Sequence, residues 1–341
     1  MGKYNILLCS DVGDTQSWGI SAIGNATGFL QNRQNLSIWV KDHYGSCPKF
    51  LVDHINRIYK FDVIINQGLP TQMFFLNKVH GDIFKVTLNC WDSSLISKEA
   101  ADNLNSIANA SICLSKFTEK AFRDAGVTIP IHVGGQGVDT NLFTYKERAK
   151  RDKFRFLFVG VAQGRKGTDE LRYVFEDALG DRDDCELVVK STGWGKLPEK
   201  SRCKNVRLVH NELSRLELAD LYHSCDCFVC PTHGDSFMLP GLEAMATGMP
   251  LLITGFGGPT EYISEQTGYP LKYKEVDCGY LPGKQAEPDK THLAYLLKYI
   301  LEHQDEAKER GKYGAQWARE YWSWQKDAER IIQFFDKTIQ R

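Results

Sequence analysis

Short apolar runs alternate with longer mixed segments along most of the chain. Residues 4–10, 36–40, 62–66, 84–89 and 110–115 are β-rich runs separated by stretches long enough for a helix. A second series follows at 154–160, 186–190, 206–209, 226–230 and 250–254. Continuous apolar runs of this length are the pattern of buried strands, and regular strand–helix–strand alternation closes as parallel sheets with crossover helices. Between the two series, residues 145–153 are polar and charge-dense, the composition of a linker. The expected architecture is α/β, two Rossmann-like doubly wound domains facing a cleft, the first over 1–150 and the second over 151–320. No internal repeat or low-complexity segment interrupts it.

The most informative departure from plain alternation is residues 231–250. The run Cys227-Phe228-Val229-Cys230 predicts a strand, and Pro240 with Gly248 and Pro250 brackets a short helix over 240–247. Asp235 then lies in a loop and Glu243 in the helix behind it, at the carboxyl end of a strand, where open α/β sheets bind ligands. The stretch 158–167 is a strand and a glycine-containing loop leading into a helix near Thr168, with Arg165 and Lys166 at the helix entrance. A helix N-terminus beside two cations is an anion site by dipole and by charge. In the first half, residues 11–19 follow the first strand and precede a helix near 20–31, and Gly19 would let backbone come close to a phosphate.

The block Pro231-Thr232-His233-Gly234-Asp235-Ser236-Phe237-Met238-Leu239-Pro240-Gly241-Leu242-Glu243-Ala244-Met245-Ala246-Thr247-Gly248-Met249-Pro250 resembles the nucleotide-sugar signature of retaining glycosyltransferases of the GT-B fold, family 4 (glycosyl transferases group 1). It matches the usual Pro-Ser-x-x-Glu-x-Phe-Gly-x-x-x-x-Glu-Ala-Met-Ala-x-Gly-x-Pro without a gap, with Asp235 in place of the first Glu and Met238 in place of the Gly after Phe. The resemblance assigns Glu243 to the donor ribose hydroxyls, Asp235 to the donor sugar and Lys166 to the diphosphate, with Arg165 sharing that charge. It places Gly19, Phe237, Met238 and Leu239 with the donor set and the backbone at Asn211 and Leu213 at the base. Asp92, in Asn89-Cys90-Trp91-Asp92-Ser93, stands where a subset of relatives lines the sugar; it is the acceptor-side candidate, against the alternative that it caps the following helix. Ser115-Lys116-Phe117-Thr118-Glu119, Gly137-Val138-Asp139, Gly257-Gly258-Pro259-Thr260-Glu261 and Trp322-Ser323-Trp324 extend the likeness from about Ser115 to Asp336. It further implies that the helix over 321–341 packs back on the N-terminal domain.

Composition narrows the reading. The net charge of −1 over 341 residues, 25% of them charged, offers no nucleic-acid coat. Ten cysteines without a disulfide rhythm fit a reducing cytosol, and the location expected is cytoplasmic. Cys225, Cys227 and Cys230 have a metal-like spacing but fall along one strand whose faces alternate, so they read as packing. Asp181 and Asp183 sit in an acidic turn and read as surface; His210 and His233 read as structural loop histidines. No apolar run approaches a membrane span, and Met1-Gly2 lacks a myristoylation context. The donor expected is a UDP- or GDP-sugar with no metal or other cofactor, and the acceptor a glycan or lipid-linked glycan. Two alternatives stay open: a hydroxylated base of modified DNA as acceptor, and a nucleotide-sugar epimerase or inactive binder of the same fold. Oligomeric state is not legible.

Overall fold

The computed structural model describes residues 4–57, 60–149, 151–162, 164–191 and 197–339. Met1 and Gly2, Lys150 of the expected linker and Gln163 of the expected phosphate loop lie outside the described residues. Two compact units are present, 1–137 with 278–284 and 321–341, and 138–277 with 285–320. The division precedes the charged stretch because Phe143 packs edge-on against Tyr222, ring centres 5.6 Å apart, and Arg148 bonds Thr247, both partners lying in the second unit.

In the first unit, strands β1 (Asn5–Val12), β2 (Asn35–Tyr44), β3 (Val63–Gly68), β4 (Phe84–Asn89), β5 (Ala110–Cys113) and β6 (Ile131–Val133) form one parallel sheet in the order β2-β1-β3-β4-β5-β6. Ile6, Leu7, Leu8 and Cys9 of β1 are all buried, as a strand covered on both faces must be. The crossovers carry α1 (Ser17–Gln31), the single turn α2 (Lys49–Val52), α3 (Lys98–Ile107) and α4 (Lys116–Asp124). Ser97 and Ser115 cap α3 and α4 by accepting from backbone N–H groups three residues on.

The second unit repeats the plan with β7 (Phe154–Gly160), β8 (Cys185–Ser191), β9 (Val206–Val209), β10 (Cys227–Cys230), β11 (Leu251–Thr254) and β12 (Gly268–Leu271), ordered β12-β11-β10-β7-β8-β9. Its helices are α5 (Thr168–Leu179), α6 (Arg215–His223), α7 (Leu239–Ala246), α8 (Lys290–Glu302) and α9 (Gln304–Tyr321). Strands β13 (Tyr273–Asp277) and β14 (Lys284–Pro288) form a separate pair. The direction of winding reverses between β7 and β10, and ligands of doubly wound sheets sit at the carboxyl ends of the strands flanking that reversal.

The last helix, α10 (Trp324–Thr338), belongs to the first unit and lies along α1. Side chains at Gly24 and Gly28 would meet the Trp324 ring at 2.1 Å and its carbonyl oxygen at 2.3 Å, so glycine is what lets the two helices approach. Asp327 of α10 is fully buried, accepts from the Gly135 N–H at 2.8 Å and pairs with Arg330 at 3.1 Å. Burial outweighs these partners and lifts its carboxyl to about 6. Its folded pKa therefore exceeds the ordinary value near 3.9, so the stability it contributes is complete below about pH 4 and lost as pH rises through about 6. A shift of this size corresponds to roughly 3 kcal/mol. Denaturant titrations of wild type and Asp327→Asn between pH 4 and 7 should show the variant gaining on the wild type by that order; a pH-independent difference would contradict the account.

Candidate functional site

The two strands flanking the winding reversal of the second sheet deliver the site loops. After β7, Gly164–Lys166 makes one 3-10 turn and Gly167, at φ +66°, starts α5. A side chain at Gly167 would lie 2.1 Å from the Pro231 carbonyl oxygen, so α5 begins directly against the chain leaving β10. The Arg165 carbonyl accepts from His233 N–H at 2.8 Å and Thr232 Oγ1 at 3.2 Å, stapling one loop to the other.

That staple brings Lys166 to Asp235. The Lys166 ammonium pairs directly with the Asp235 carboxylate, Arg165 stands 3.7 Å from it, and Phe237 N–H donates to Oδ1 at 3.1 Å. Asp235 is 6% exposed. Burial alone would raise its pKa, but the Lys166 and Arg165 charges and these hydrogen bonds outweigh it and hold the carboxyl below the ordinary range. The residue expected at the diphosphate and the residue expected at the sugar thus form one ion pair.

Met238 follows at φ +69°, a left-handed conformation that favours glycine, and is the N-cap of α7. The usual family glycine at this place has its physical reason in that angle. Met238 is held there, 4% exposed, while the Tyr262 hydroxyl stands 2.8 Å from its carbonyl oxygen and 3.0 Å from that of Phe237. Phe237 packs on the Tyr262 ring, centres 5.4 Å apart, and Leu239 opens the helix. One turn on, Glu243 is 3% exposed, receiving Arg215 at 2.7 Å on one oxygen and the Tyr222 hydroxyl at 3.0 Å on the other.

Arg215 was not foreseen. It opens α6 immediately after Ser214, whose capping box with Glu217 sets that helix start, and its guanidinium also lies 4.8 Å over the Phe143 ring. Asn211, exposed, and Leu213, half-buried, come just before it, so the expected base segment and the expected ribose carboxylate are connected through one side chain. Lys190 was missed as well: it sits near the end of β8, 4% exposed, bonded to the Ser191 carbonyl, its pKa lowered by burial. His233 is not isolated, because Glu170 of α5 meets its Nε2 at 2.6 Å.

In the first unit, Asp92 follows β4 and is half-buried. Its alternative role as a helix cap does not hold, since Ser97 caps α3. The loop around Asp92 is fixed by Trp91 Nε1 donating to Leu95 O at 2.8 Å and Ser93 Oγ donating to Pro282 O at 2.6 Å. Gly19 lies in the first turn of α1, where a side chain would meet Gly13 oxygen at 2.3 Å; the room it leaves is taken by the chain's own backbone. Lys41 of β2, unremarked in the sequence, donates to the Gln67 carbonyl at 2.7 Å near the reversal of the first sheet.

Among the described residues no three His, Cys, Asp or Glu side chains lie close enough to share a metal, and Asp183 instead pairs with Lys204 at 2.7 Å. No described helix is long and apolar enough to cross a membrane.

Two units, each a parallel six-stranded doubly wound sheet flanked by helices, make up the GT-B fold. The chain belongs to the glycosyl transferases group 1, whose family profile matches residues 141–317. It is similar to the MMP alpha-(1->4)-mannosyltransferase of Mycolicibacterium hassiacum, 28% identical over 216 residues that cover 62% of this chain and 49% of that protein. It is also similar to the GDP-mannose-dependent monoacylated alpha-(1-6)-phosphatidylinositol monomannoside mannosyltransferase of Corynebacterium glutamicum, 24% identical over 71% of this chain and 65% of that one. The matched stretch thus spans less than two thirds of either relative. In fold the chain is similar to Anabaena HepE, solved in complex with UDP-glucose: TM-score 0.72, 14% identity, 98% of this chain and 100% of that one.

Proposed function

We propose that this chain transfers a sugar from a nucleoside-diphosphate donor to a hydroxyl of a carbohydrate or lipid-linked glycan, with the anomeric configuration retained. The observation that carries the reading is the Lys166–Asp235 pair at the winding reversal, with Arg165 beside it. Departure of the nucleoside diphosphate develops negative charge, which Lys166, Arg165 and the start of α5 stabilise where it forms. Asp235 addresses the sugar hydroxyls and Glu243 the ribose, while the segment at Asn211 and Leu213 meets the base. Attack comes from the face the diphosphate leaves, and the leaving phosphate takes the acceptor's proton. Asp92 stands on the acceptor side. The base is uracil or guanine, in keeping with a structural neighbour solved with UDP-glucose and a relative named for GDP-mannose.

The test is to offer radiolabelled UDP- and GDP-sugars with glycan and lipid-linked acceptors and with hydroxymethylated duplex DNA, and to read the product anomer by NMR. Metal-independent transfer to a glycan with retention is expected, undiminished by excess chelator. Chelator-abolished activity restored by a divalent ion would contradict the cationic side chains' role, label in DNA alone would replace the acceptor, and epimerised donor with no transfer would replace the reaction.

Glu243 also yields a binding prediction. Glu243→Gln keeps its shape but removes the charge held by Arg215, and should weaken nucleotide binding by about tenfold to hundredfold, the worth of one charge-assisted hydrogen bond. Calorimetry with UDP and GDP checks it; unchanged affinity for both would move the ribose elsewhere.

A further inference from the structure

The amino-terminal end of the second sheet, where β7, β10 and β11 begin, holds a cavity with an unusual charge balance. Arg148, Arg151, Lys153 and Lys308 line it with Phe154, and among the described lining residues Asp226 is the one carboxylate. That carboxylate is already engaged, by Arg151 at 2.6 Å on Oδ1 and the Arg155 backbone N–H at 2.8 Å on Oδ2. Arg148 is 9% exposed and gives one hydrogen bond, to Thr247 Oγ1 at 3.1 Å, while its Nε finds no partner among the described residues. Burial lowers its guanidinium to about 10, the nearby Asp226 charge opposing the shift and Arg151 adding to it. Among the described residues, Lys308 has the exposed Asp305 of its own helix as its ion-pair partner, at 3.8 Å. The first turn of α9, with Gln304, faces the same space. Four cations around one satisfied acid, one of them buried, are a local excess that an oxyanion would neutralise.

We propose that this cavity is a second anion site, distinct from the donor site, that takes a phosphate group, either free or as a sugar phosphomonoester. The carbonyl ends of β7 and β10 carry the donor loops, so this site lies at the other end of the same strands and leaves the donor loops untouched.

The experiment is calorimetric titration of inorganic phosphate, and separately of glucose 6-phosphate, into the full chain and three variants. Phosphate binding is expected to persist in Lys166→Ala, which addresses the donor site. It should weaken at least about tenfold in Lys153→Glu combined with Lys308→Glu, the loss of charge-assisted contacts to the anion. Nucleotide affinity should stay unchanged in that pair, and Arg148→Gln should weaken phosphate in the same direction. Tighter glucose 6-phosphate than phosphate, with the same variant pattern, assigns the ester; the reverse assigns the free ion. No binding by the wild type, binding lost in Lys166→Ala, or binding indifferent to Lys153→Glu with Lys308→Glu would each overturn the proposal. The lysine pair lies on the cavity rim, so the test does not depend on Arg148→Gln folding.

Discussion

Lys166→Ala is expected to slow sugar transfer by about two to three orders of magnitude, the usual loss when one preorganised group facing a developing negative charge is removed. The same substitution leaves Asp235 buried with Arg165 at 3.7 Å as its nearest cation, so stability should fall too, by roughly 3–5 kcal/mol if the carboxylate stays ionised. The stability effect is isolated in a second variant. Lys166→Ala combined with Asp235→Asn removes the stranded charge, so it should recover most of the stability while turnover stays low. Denaturant unfolding and initial rates on the same samples make the comparison. Recovery of turnover together with stability would reduce Lys166 to a structural partner of Asp235.

Much of this site was legible because its chemistry is local in sequence. Pro240 and Gly248 bracket α7, which places Asp235 in a loop and Glu243 in the helix, and Arg165 with Lys166 sits at a helix entrance wherever the chain goes. What could not be read is how distant segments close on one another. The Arg215–Glu243 and His233–Glu170 pairs join residues of different helices and loops, and neither partner carries a mark of the other in the sequence. Edge strands β6 and β12 were missed for another reason: three or four residues, only partly apolar or broken by Gly and Pro, give no periodicity to count. The β13–β14 pair was invisible because β13 is largely exposed and the buried face of β14 amounts to Ala286 and Pro288, too short to write an alternation into the pattern. Gly19 shows the converse limit. A glycine beside a phosphate loop signals a close approach, but only coordinates reveal that Gly13 is what approaches.

The motif Gly257-Gly258 leads to the second large effect, produced by a residue that need not touch substrate at all. A side chain at Gly258 would lie 1.9 Å from the Ser236 carbonyl oxygen, 2.1 Å from its carbon and 2.5 Å from Phe237 N, all backbone of the donor loop. Gly258 N–H also donates to the Asp235 carbonyl at 2.7 Å, so the two loops are joined where the clash would fall. No side chain there can rotate away, and the loop itself must move. Gly258→Ala should therefore destabilise the protein by more than about 3 kcal/mol, in the range of backbone-displacing overpacking, or fold with the Asp235 loop displaced. In the second case the melting temperature is partly kept, yet nucleotide affinity and transfer both fall, because Asp235, Phe237 and Met238 shift together. Gly279→Ala is the control: nothing lies within 4 Å of its added carbon, and stability should stay within about 0.5 kcal/mol of wild type. A Gly258→Ala protein with wild-type stability and wild-type nucleotide affinity would show that the Asp235–Met238 loop is not held in the conformation on which the donor-site reading rests.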